Sequence, residues 1–239
     1  MSATTLQLGS LRARLTGGTD GRGGGDGPLV VLCHGFGAPG DDLVPLWRVL
    51  RAPRGTRYLF PEAPLALPPV FGPGRAWWMS DVARLQEAMM RGTPRDLSTE
   101  YPDTLPAVRA SLLALLDAAA EELGVPPERT VLGGFSQGAM LAMDVALHDP
   151  RPFAGLALLS GTYLARDWWT PRMASRAGLP VFQSHGQDDM VLAYPGGAAL
   201  HEALTEAGLE TELVTFRGGH AIPPPALDGL GAFLARVLE

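Results

Sequence analysis

The chain has 239 residues, 46% of them hydrophobic and 18% charged, which is enough apolar material for a large core and excludes the composition of a disordered chain. The formal net charge of -6 is spread without basic runs, so nucleic acid is not an expected partner. No stretch reaches the roughly eighteen apolar residues of a membrane span, Met1 to Ser10 lacks a signal-peptide pattern, and the single cysteine, Cys33, has no partner for an internal disulfide, so a soluble, cytoplasmic protein is expected.

In chain order, Leu6 to Leu8 and Leu11 to Leu15 flank Gly9-Ser10 and read as an opening hairpin, followed by a flexible surface loop over Gly17 to Gly27. Strands are expected at Leu29 to Cys33, Tyr58 to Phe60, Thr130 to Leu132, Gly155 to Leu159, Val181 to Ser184 and Glu212 to Phe216. Most are too continuously apolar for a sheet with one wet face, so both faces should be covered. Helices are expected at Asp41 to Leu50, Pro102 to Leu123, Gln137 to His148, Gly197 to Ala207 and Pro224 to Leu238. The second of these carries Leu105, Val108, Leu112, Leu116, Ala119 and Leu123 as an amphipathic stripe ended by Gly124 and Pro126. Pro61 to Ser80, rich in Pro and Gly, receives no element. Alternation of strands and helices predicts one α/β domain over residues 1–239 with a mostly parallel central sheet.

Gly134-Phe135-Ser136-Gln137-Gly138 is a G-x-S-x-G sequence between a hydrophobic strand and a helix that starts with small residues. In such an elbow the serine sits on a strained turn, and the glycines allow strand and helix to approach closely. Serine needs a base before it attacks a carbonyl, and a carboxylate and a histidine follow in the required order. Asp188 and Asp189 lie just past one strand, and His220 lies just past the last. Loops at the carboxyl ends of parallel strands share one sheet edge, so these distant residues can meet there. The oxyanion donors are expected to be the amide of Gln137 and, from the glycine-rich His34-Gly35-Phe36-Gly37 loop, that of Phe36. His34 and His185, each before a glycine at a strand end, read as residues that fix loops by hydrogen bonding, while His148 and His201 read as surface or packing residues. No His/Cys/Asp/Glu spacing suggests a zinc site, and no cofactor is expected.

The chain resembles the carboxylesterase, lysophospholipase and acyl-protein thioesterase family of small serine hydrolases. The resemblance rests on His34-Gly35-Phe36-Gly37, Pro61-Glu62-Ala63-Pro64, Trp77-Trp78, Gly134 to Met140, His185-Gly186-Gln187-Asp188-Asp189-Met190-Val191 and Gly219-His220, in family order from about residue 28 onward. It implies an α/β-hydrolase fold, a triad of Ser136, Asp189 and His220, and an oxyanion hole from the Phe36 and Gln137 amides. The family's His-to-acid spacing selects Asp189 over Asp188. Met79 stands where many relatives carry an acidic residue, and Val82 to Thr99 is longer than in compact relatives. Phe71, Trp77 and Trp78 are candidates to line an acyl pocket, with ordinary core packing as the competing reading.

The resulting expectation is an esterase for short to medium acyl chains acting on a small ester or thioester, with a homodimer left open. Lysophospholipase, acyl-protein thioesterase and aromatic-acid esterase are the rivals within the class. A catalytically inactive binding protein on the same fold is the rival outside it.

Overall fold

The computed structural model describes residues 3–69, 72–81, 87, 90–92 and 96–239. The main sheet has strands β1 (Thr4–Leu8), β2 (Leu11–Gly18), β3 (Arg22–Gly24), β4 (Leu29–Cys33), β5 (Arg57–Pro61), β8 (Thr130–Phe135), β9 (Gly155–Leu159), β10 (Pro180–Gly186) and β11 (Glu210–Phe216). Its order is β1-β2-β5-β4-β8-β9-β10-β11, with β3 paired to β2. The run from β5 to β11 is parallel, whereas β2 is antiparallel to both β1 and β5. Two short strands, β6 (Leu65–Ala66) and β7 (Arg75–Ala76), form a separate antiparallel pair.

The helices among the described residues include α1 (Leu105–Leu123), α2 (Gln137–His148), α3 (Arg166–Met173), α4 (Tyr194–Glu206) and α5 (Pro224–Leu238). Side chains alternate across each strand, so β4 sends Leu29, Val31 and Cys33 into one apolar cluster and Val30 and Leu32 into the other. Buried residues of α1 to α4 complete the first cluster, and Leu230, Phe233 and Leu234 of α5 complete the second. This double burial is the physical reason that these strands read as unbroken apolar runs. Helix α1 ends as its sequence dictates: Gly124 adopts φ 62°, and the buried Arg57 guanidinium donates to the Leu123 carbonyl at 2.9 Å.

Several expectations need correction. Only Val44–Arg48 forms a helical turn in the Asp41-to-Leu50 segment, a 3-10 turn with none of its residues buried; Pro45 removes an N–H, and the inward-facing Leu43 and Leu50 lie outside the turn. The Gly17-to-Gly27 loop is built rather than loose: Asp20 accepts the Arg22 and Gly24 amides at 2.8 and 2.9 Å, and β3 joins the sheet. Helix α3 was not foreseen because Pro171 interrupts it and only Trp169 and Met173 face inward.

Strand β4 has β5 on one side and β8 on the other, so the chain reverses its direction of growth there. The loops after β4 and β8 therefore open a crevice at the sheet's carboxyl edge, where open α/β sheets place their ligands. Among the described residues, no helix is long and apolar enough to cross a membrane.

Candidate active site

Ser136 follows β8 and precedes the first residue of α2, with φ 56° and ψ -118°, a strained conformation for a residue with a side chain. Its amide donates to Leu159 O of β9 at 2.8 Å, which holds the turn. The flanking glycines are required by space. A Cβ on Gly138 would run into the Cys33 and His34 carbonyl oxygens, and one on Gly134 would meet Cys33 O and the Gly138 backbone. The helix thus lies almost on the end of β4, and a Cβ on Gly35 would come within 3.3 Å of Ser136 Cβ. Gln137 opens α2, so its N–H has no acceptor within the helix.

His220 lies in the loop after β11 and donates from Nδ1 to Asp189 Oδ2 at 2.6 Å. That contact assigns the proton to Nδ1 and leaves Nε2 as the free acceptor of the neutral ring. The ring packs on Phe135, the residue before Ser136, at 4.7 Å between centroids. Asp189 is 3% exposed, and its other oxygen, Oδ1, accepts the amides of Val191 and Leu192 at 2.8 and 2.9 Å. Burial pushes its carboxyl upward, but the hydrogen bond and charge of His220 together with the two amides outweigh burial and hold it below the usual carboxylate range. Asp188 takes a different part: its Oδ2 accepts the Gly218 amide at 3.1 Å and so ties down the loop that carries His220.

Ser136, His220, Phe36 and Gln137 line one cavity of about 290 Å³, together with Gly35, Ser80, Leu97, Phe135, Met140, Val191 and Leu192. Its walls are mostly apolar, with Ser80, Ser136, Gln137 and His220 as the polar side chains among them. A second cavity of about 330 Å³ shares Ser80, Leu97 and Met140 with the first and adds Trp78, Met79 and Tyr101. Of the residues singled out as pocket aromatics, Trp78 borders only this second cavity. Trp77 borders neither and is fully buried, with its indole donating to His34 O at 2.9 Å, so core packing is the correct reading for it. Phe71 lies outside the described residues.

Around Trp77 runs a network that the sequence did not reveal. The Gln137 side chain accepts the Trp77 amide at 2.9 Å and donates to Trp78 O at 2.8 Å, while His34 accepts the Ala63 amide at Nε2 at 3.0 Å and donates from Nδ1 to Gly35 O at 2.8 Å. The elbow and the His34-Gly35 turn are thereby tied to Ala63 and to Trp77-Trp78. Leu97, Met140, Val191 and Leu192 also escaped the sequence reading. Met140 alone had a signal, being one helical turn beyond the serine. Among the described residues, no group of three His, Cys, Asp or Glu side chains is arranged to hold a metal ion.

A mixed sheet with helices on both faces, a strained serine between β8 and α2, and a histidine–carboxylate pair beyond β10 and β11 define an α/β-hydrolase. Residues 25–238 match the model of the phospholipase/carboxylesterase family, and the chain belongs to that family. It is 31% identical over 230 residues to acyl-protein thioesterase 1 of Eremothecium gossypii, covering 87% of each chain, and 29% identical over 225 residues to carboxylesterase SOBER1 of Arabidopsis thaliana, covering 88% of this chain and 91% of that protein. Among solved structures it is similar to esterase PE8, with a TM-score of 0.75 at 27% identity, covering 100% of this chain and 99% of the other.

Proposed function

We propose that the protein hydrolyses carboxylic esters of short to medium acyl chains through an acyl-enzyme on Ser136, with His220 as the base and Asp189 as the residue that orients it. The observation that carries this reading is the 2.6 Å contact between His220 Nδ1 and Asp189, made by a histidine that shares its cavity with Ser136. His220 Nε2 takes the hydroxyl proton as Ser136 Oγ attacks the carbonyl carbon. The charge on the carbonyl oxygen is met by the amides of Phe36 and Gln137. The tetrahedral intermediate collapses with loss of the alcohol, which receives the proton from His220. Water then attacks the acyl-enzyme, His220 again accepts and returns a proton, and the carboxylic acid leaves. The cycle uses only this chain's side chains, its amides and water.

The cavity of about 290 Å³ sits at the small end of ligand pockets, which supports short to medium chains. Acyl-protein thioesterase activity is the second reading, favoured by the relatives that carry that name. A panel of aryl esters and acyl thioesters of rising chain length separates the two. Labelling by a fluorophosphonate should fall on Ser136, and Ser136→Ala should lower turnover by about a millionfold while the far-ultraviolet circular dichroism stays native. A variant that keeps its rate removes Ser136 from the mechanism.

A further inference from the structure

Asp189 has a second imidazole beside it. His185, the penultimate residue of β10, is 1% exposed and places Nε2 3.5 Å from Asp189 Oδ2, the same oxygen that receives His220. That nitrogen donates to Leu192 O at 2.7 Å, so the proton lies on Nε2 and the positive end of the ring dipole faces the carboxylate. Leu192 is also one of the two residues whose amides bind Asp189 Oδ1, and its side chain lines the cavity around Ser136. The turn from Gly186 to Leu192 is therefore closed at three points: Asp189 N donates to Gly186 O at 3.3 Å, Asp189 Oδ1 gathers the Val191 and Leu192 amides, and His185 holds the Leu192 carbonyl. Helix α4 locks the imidazole in turn. Tyr194 meets it edge-on at 6.0 Å, and Gly197 is pressed so closely against it that a Cβ would collide with Nδ1.

We propose that His185 is a positioning residue for the Asp189–His220 pair: its Nε2–H, donated to the Leu192 carbonyl, fixes the turn that presents the carboxylate, so that His220 stays aimed at the serine. The ring is not part of the lining of the cavity around Ser136, and its effect on turnover passes through the turn that carries Asp189 and Leu192. The proposal rests on the catalytic reading of Ser136, His220 and Asp189.

Two variants divide this role from simple core packing. In His185→Gln the amide nitrogen can occupy the position of Nε2 and donate to the same carbonyl, whereas His185→Leu keeps bulk and loses the donor. Turnover of an aryl ester is measured per active site titrated with a fluorophosphonate, beside the thermal midpoint. The expected result is a fall in kcat of about 100-fold for His185→Leu with KM little changed, as a displaced catalytic group produces, and recovery of most of that loss in His185→Gln. If the leucine variant does not fold, His185→Asn, which is too short to reach the carbonyl, takes its place against the glutamine. Equal losses in the variants with and without the donor, or a wild-type kcat per titrated site in the leucine or asparagine variant, overturn the proposal. The wild-type protein is the separate control: absence of labelling at Ser136 there overturns the catalytic reading, whereas normal labelling with an indifferent His185 overturns only the positioning role.

Discussion

At the scale of single residues, the candidate site turns on a buried carboxylate whose two oxygens both have partners. Asp189 spends one oxygen on the backbone of its own turn and the other on His220, so the ring cannot turn over without giving up a charge-assisted bond. Asp189→Asn leaves the volume almost unchanged, but an amide can offer its N–H to Nδ1 and so favour the wrong tautomer. The expected loss in kcat is about 10⁴-fold, the cost of the same change in a serine-protease triad, with the thermal midpoint measured alongside to show that the fold persists. A variant within tenfold of wild type would show that this carboxylate does not orient the base. Ser136, His220 and an aspartate after β10 were legible as candidates in the sequence because chemistry restricts their types and the fold restricts their order, and the family resemblance points to Asp189 rather than Asp188. Leu97, Val191 and Leu192 were not, since an apolar side chain carries no mark of the loop it will meet.

At the scale of elements, legibility followed the strength of the local signal. Helices α2 and α5 and strands β4 and β9 fall within the limits read from the sequence, because turn residues or prolines bracket a clear apolar pattern. Helix α3 shows the opposite case, in which tertiary contacts outweigh a poor local signal. Its Trp169 indole donates to Asp144 Oδ1 at 2.9 Å, and Arg109 of α1 pairs with Asp144 Oδ2 at 2.7 Å, so one wholly buried carboxylate on α2 joins three helices. A buried charge is tolerable only while its partners remain. Arg109→Ala is expected to destabilise the protein by about 3–5 kcal/mol in urea unfolding. Arg109→Ala with Asp144→Leu should recover part of that loss, since no buried carboxylate is then left without its guanidinium partner. A single variant as stable as wild type would mean that the charge has other compensation.

At the scale of the whole molecule, the burial that builds the site also makes stability depend on acidity. His34 and His185 are held below their ordinary value of 6.5 chiefly by burial, so the folded protein keeps them neutral while the unfolded chain takes up protons. Their contribution is complete above pH 6.5 and declines as the pH falls from there toward the folded values. Asp189, held below 3.8, adds a second loss that begins only when the unfolded carboxylate starts to protonate. The thermal midpoint should therefore be level near and above neutrality, fall from about pH 6.5, and fall again near pH 4. A midpoint unchanged from pH 7.5 to pH 5 would show that the two histidines do not stay neutral in the fold.

The far edge of the sheet carries one more consequence. Among the described residues, strand β11 has no neighbour beyond it in the strand order, and Glu210 and Glu212 stand along it, with Arg236 of α5 drawn to Glu212 at 3.0 Å. A second copy docking strand against strand would have to meet that charged border. Charged side chains on an edge strand discourage the open-ended stacking that an unguarded β-border invites.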